Sequence, residues 1–152
     1  MATYPETARA VASRHAADLA DNRVFFQPDI PEGRLGEALA GYPSARADEV
    51  LVLLDNTETG SADEGALLLA DALLVRDGKG PVRRFALPEL ATAVFDPGPP
   101  RTLEIGGFPV LRNLRPNPAT LERFAAMLRE IAASLADRKS TRLNSSHRIR
   151  SR

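Results

Sequence analysis

The spacing of apolar residues changes along this chain, from helical to strand-like and back to helical. Near the start, Ala8, Val11, Ala12, His15 and Leu19 recur at intervals of three and four, the period of a helix face. Thr3-Tyr4-Pro5-Glu6 precedes them as a start signal: Thr3 can cap, Pro5 suits the first turn and Glu6 completes a capping box. Asp21-Asn22 ends this helix. Val24-Phe25-Phe26 is a short apolar stretch bounded by Pro28. Pro31 then opens a second short helix with Leu35, Ala38, Leu39 and Tyr42 on one face, Gly41 as its C-terminal cap and Pro43 as its stop. Tyr42 to Ala47 reads as a linker.

Strand-like runs follow, punctuated by Gly and Pro. Glu49 to Asp55 is almost continuously apolar, as expected of a central strand buried on both faces. Gly65 to Ala70 and Ala72 to Arg76 flank a reversal at Asp71. Ala and Leu there also permit a helix from Asp63 to Val75. Strands are the better reading, because Gly65 and Asp77-Gly78-Lys79-Gly80 bracket runs of strand length. Pro81 to Leu87 pairs back across that turn, and Pro88-Glu89-Leu90 is a turn. Thr92 to Phe95 is the next strand, and Arg101 to Ile105 and Phe108 to Arg112 form a last hairpin around Gly106-Gly107. Asn117 caps a final helix with Pro118 at its first position. Leu121, Phe124, Ala125, Leu128, Ile131, Ala132 and Leu135 form its wide apolar stripe, with Glu122, Arg123, Arg129 and Glu130 on the other face. The fold class expected is α+β.

Seven antiparallel strands and a C-terminal helix resemble the pleckstrin-homology (PH) layout. The segment Asp55 to Asp71 also resembles bacterial PH-like domains, through Asp55-Asn56-Thr57, Gly60-Ser61-Ala62, Gly65 and Asp71, although Ala70 stands where threonine is usual. The resemblance implies a partly open barrel of about seven strands over residues 48–136, capped by the C-terminal helix. Residues 1–47 would be two helices packed on the barrel. In phosphoinositide-binding members of the family, basic residues surround the first strand-to-strand loop. Here that loop holds Glu58, Asp63 and Glu64 and no Lys or Arg, which opposes a phosphorylated headgroup.

The last stretch, Asp137 to His147, resembles the in-frame translation of a sequencing-library adapter, with Arg148 to Arg152 as read-through. Residues 137–152 are therefore expected to be a non-native, disordered tail, with the natural gene cut at or near Ala136. This changes the charge argument. The whole chain has 20 basic and 20 acidic residues; setting aside the tail's six basic residues and Asp137 leaves 14 and 19, a formal net of −5. An acidic body disfavours nucleic acid and anionic membranes as partners. The Asn144-Ser145-Ser146 glycosylation pattern falls in the tail and carries no weight. There is no cysteine, so disulfides and thiolate metal sites are excluded. No apolar run approaches the ~20 residues of a membrane span. Arg-rich, Lys-poor composition suits a GC-rich bacterial genome, and a cytoplasmic location is expected.

Four basic residues, Arg76, Lys79, Arg83 and Arg84, gather around one hairpin as the candidate ligand-binding site, with edge-strand protection as the plainer reading. Arg101, Arg112 and Arg115 are less specific. Asp55, Glu58, Asp63 and Glu64 form the densest acidic cluster, readable as a metal site, an acid/base pair or a solvated loop; the spacing is not that of a calcium loop. His15, the one histidine before the tail, reads as packing or surface, and no nucleophile pairs with it. Neither Gly78-Lys79-Gly80 nor Gly106-Gly107 has phosphate-loop spacing. The N-terminal apolar residues either pack on the sheet or form a partner surface. No cofactor or metal is expected. The function expected is a non-catalytic protein-interaction or adaptor module, acting through a sheet edge or the N-terminal helices. The alternatives are a membrane-peripheral or anion-binding module using the Arg76–Arg84 hairpin, and a metal-dependent enzyme using the acidic loop.

Overall fold

The structure, a computed structural model, describes residues 4–19, 23–27, 29–43, 45–57, 64–78 and 80–147, with side chains for all of these except 4, 5, 17–19 and 136–147. Thr3, Asp21, Asn22, Pro28, Glu58, Gly60-Ser61-Ala62, Asp63, Lys79 and Arg148 to Arg152 lie outside the described residues.

In chain order the elements are α1 (Tyr4–Leu19), β1 (Val24–Phe26), α2 (Glu32–Gly41), β2 (Val50–Asp55), β3 (Gly65–Leu69), β4 (Ala72–Arg76), β5 (Arg83–Ala86), β6 (Val94–Asp96), β7 (Thr102–Ile105), β8 (Phe108–Leu111) and α3 (Pro118–His147). The class is α+β, with helices at both ends. The strands form two antiparallel sheets, one ordered β1-β2-β3-β4-β5 and one ordered β6-β7-β8, and not a closed barrel. Val24–Phe26, an apolar stretch in the sequence, is an edge strand. It pairs antiparallel with β2, Phe25 opposite Leu53. Gly65–Leu69 and Ala72–Arg76 form the expected hairpin and not the competing helix. The expected turn at Pro88 is a longer 3-10 helix, Leu87–Thr92, and the strand after it starts two residues later than expected, at Val94.

Both faces of the larger sheet are covered. On one face Val50, Leu53, Leu67, Leu69 and Leu74 pack with Ala38 and Tyr42 of the α2 region. On the other, Leu54, Ala66, Leu68, Leu73 and Val75 join α1, the smaller sheet and the α3 stripe. β2 and β3 are wholly buried, so their apolar runs need no alternation. The register of β2 shifts between Val50 and Val52, and this irregularity puts Leu51 and Val52 on the same side.

Every residue of the expected α3 stripe is buried, and Met127 with them. Asn117 Oδ1 accepts the Ala119 N–H at 2.9 Å, the expected N-cap. Beyond Ala136, where a disordered tail is expected, the backbone stays helical to His147. Between Ala119 and His147 there is neither Gly nor Pro to stop a helix.

Candidate functional site

The basic hairpin is built by pairing β4 with β5, Leu74 opposite Arg84 and Val75 opposite Arg83. Adjacent strand residues point to opposite faces of a sheet. Arg84 therefore shares the face of Leu74, covered by α2, and Arg83 the face of Val75, covered by α1 and α3. The guanidiniums do not converge on one ligand. Arg84 reaches Asp71 at 3.4 Å, Arg83 lies 5.4 Å above the Phe85 ring, and Arg76 Nε donates to the Gly80 carbonyl at 3.1 Å. Lys79 lies outside the described residues.

What β5 does offer is an edge. It ends the sheet order, and Arg83, Arg84 and Ala86 are exposed while Phe85 is anchored against the core. At its far end the Ala86 N–H is taken by Glu89 Oε2 at 2.7 Å, which limits the open stretch.

Of the acidic cluster, Asp55 and Glu64 are among the described residues. Asp55 is fully buried, which corrects the reading of it as part of a solvated loop. Its Oδ1 accepts from the Thr57 N–H at 2.9 Å and the Thr57 hydroxyl at 2.6 Å, and its Oδ2 accepts from Arg34 at 2.5 Å. Arg34 in turn lies 4.9 Å above the Phe25 ring. Arg23 grips the same segment from the other side, with Nη1 donating to the Thr57 carbonyl at 2.7 Å and its own carbonyl accepting the Asp55 N–H at 2.8 Å. Asn56, between them, joins the two sheets. Its Oδ1 accepts the Arg115 N–H at 2.7 Å and its Nδ2 donates to the Arg112 carbonyl at 3.3 Å. Asp55-Asn56-Thr57 is thus a polar knot holding α2, β1 and the β8–α3 connection together.

Gly65 belongs to this knot. Its φ is +128°, and a Cβ there would fall 2.2 Å from the Leu54 carbonyl oxygen. Only glycine fits. Among the described residues no group of three or more His, Cys, Asp or Glu side chains could hold a metal ion. Glu58 and Asp63 lie outside those residues.

His15 has a partner that its surroundings in sequence do not announce. Its Nε2 lies 2.7 Å from Glu130 Oε1 on α3, and Arg14 reaches the other carboxylate oxygen at 2.5 Å. The His15 hydrogen bond, aided by the Arg14 charge, holds the Glu130 carboxyl below the ordinary carboxylate range against the opposing effect of burial. Arg129 donates to the Ala93 carbonyl at 2.8 Å. Arg129 and Glu130, on the face opposite the apolar stripe, therefore fasten α3 to its neighbours.

Among the described residues no helix is long and apolar enough to cross a membrane. No family model, curated protein or solved structure matches the chain.

Proposed function

We propose that the chain is a non-catalytic interaction module of the bacterial cytoplasm, related to PH-like domains, which takes an extended acidic peptide by strand addition to β5. The order of seven strands followed by a helix supports the PH-like assignment, as do Asp55-Asn56-Thr57 and Gly65. The observation that carries the functional reading is the open edge itself: β5 is exposed, ends the larger sheet and packs against the core through Phe85. Main-chain groups along such an edge supply affinity without any charge motif. Arg83 and Arg84, one on each face, give the added strand its selectivity. An incoming peptide alternates its own side chains across both faces. Carboxylates at adjacent peptide positions would then meet one arginine each. The same arginines discourage pairing between copies of this basic edge.

The test is a titration of the full chain with a peptide of mixed Glu and Val residues, followed by backbone amide NMR. Shifts should concentrate at residues 82–86. The Arg83→Glu/Arg84→Glu protein should lose most of the response while keeping its amide spectrum elsewhere. Shifts spread over α1 or α2, or equal binding by the charge-reversed protein, would contradict the reading.

A further inference from the structure

A second cationic place lies away from β5, where Arg23, Arg101 and Arg115 come together. They line an open groove of about 740 Å3 between the Pro97–Arg101 connection and the residues after β8. Pro97, Pro99, Pro100 and Leu114 make its walls, and no acidic residue is among the described residues that line it. We propose that this groove binds a phosphate-bearing small molecule, with Arg101 and Arg115 as the phosphate contacts, while Arg23, whose Nη1 is committed to the Thr57 carbonyl, adds its charge to the groove.

Two features of the surroundings organise the arginines. Arg101 Nη1 donates to the Pro116 carbonyl at 3.2 Å, a neutral acceptor that leaves the guanidinium charge in place. The Arg115 main chain is pinned by Asn56, at 2.7 Å, to the buried end of β2. Its side chain has no hydrogen bond or ion pair among the described residues. The cation is thus aimed by the polar knot without being neutralised by it.

The number of guanidiniums selects the ligand class. A carboxylate is satisfied by one arginine fork. A phosphomonoester brings nearly two charges and three acceptor oxygens, which suits several forks at once. The proline and leucine walls suit the organic part of the ester. The acidic character of the body as a whole does not veto this. Exposed charges farther away than about 8 Å are largely screened at physiological salt, whereas the groove acts at contact distance.

The site is tested on the full chain with glycerol phosphate, acetate and phosphatidylcholine vesicles with or without phosphatidic acid. Glycerol phosphate should shift the amides of Arg101 and residues 112–115, and acetate should shift them far less. Arg115→Ala should weaken the binding about tenfold, the loss of one charge-assisted contact. Its fold should persist, because the Arg115 main chain makes the bond to Asn56. Arg101→Lys, which keeps the charge and loses the fork, should fall between the two. Co-sedimentation with phosphatidic acid vesicles that Arg115→Ala abolishes assigns the phosphate to a lipid headgroup. Glycerol phosphate binding without co-sedimentation assigns it to a soluble ester. The proposal is overturned if neither phosphate probe perturbs these amides, if acetate does so equally, or if Arg115→Ala binds unchanged.

Discussion

At the end of β2, charge is buried: the Asp55 carboxyl accepts three hydrogen bonds and has no contact with solvent. At the β4–β5 hairpin, charge is held loosely: Arg84 and Asp71 sit 3.4 Å apart with more than half of each side chain in solvent. The first arrangement costs desolvation and must keep all its partners, so it behaves as structure. The second is nearly neutral for stability and free to exchange its partner for another. Polar residues that catch the eye in the sequence therefore divide into those that assemble the fold and those available for binding. Asp55 falls in the first group and Arg84 in the second.

Gly65→Ala should do the most damage. The side chain meets the Leu54 carbonyl at a distance no relaxation of a rotamer can relieve, and the backbone sits at φ +128°. Strain and overpacking together should lower stability by about 4 kcal/mol, read from chemical denaturation. Asp55→Ala comes next. It leaves Arg34, which is 29% exposed, without its partner, and strands the Thr57 donors. A loss of about 3 kcal/mol is expected, at the lower end for a broken buried pair because Arg34 keeps some water.

Glu130 gives a smaller, pH-dependent effect. Its carboxyl titrates below the ordinary value, so its bonds to His15 and Arg14 contribute stability above that value and lose it as pH falls through the lowered one. Melting curves should show the native protein losing stability below about pH 4 more steeply than Glu130→Gln, with the two converging in stronger acid. A parallel decline would contradict the role given to the His15 bond. Arg84→Ala should change least, within about 0.5 kcal/mol, because its ion pair is exposed. A large loss there would move the hairpin into the structural group and undo the contrast.

Local rules account for much of the fold. The α3 stripe, its Asn117 cap, the doubly buried β2 and the β3–β4 hairpin follow from period, capping chemistry and breakers. β1 does not, because three residues carry no readable period and its partner, β2, lies more than twenty residues away. The division into two sheets is equally silent: short strands between Gly and Pro look alike whichever sheet they join. Asp55 and Arg34 are 21 positions apart, and His15 and Glu130 are 115 apart, so tertiary packing alone pairs them. The divergence of Arg83 and Arg84 was legible, since neighbours in a strand face opposite ways.

Hydrogen exchange of the full chain, with and without the Glu/Val peptide, tests the division most directly. Added peptide should slow exchange at the outer amides of β5 and leave Asp55, Asn56 and Thr57 as they were. New protection at residues 55–57 with none along β5 would contradict it.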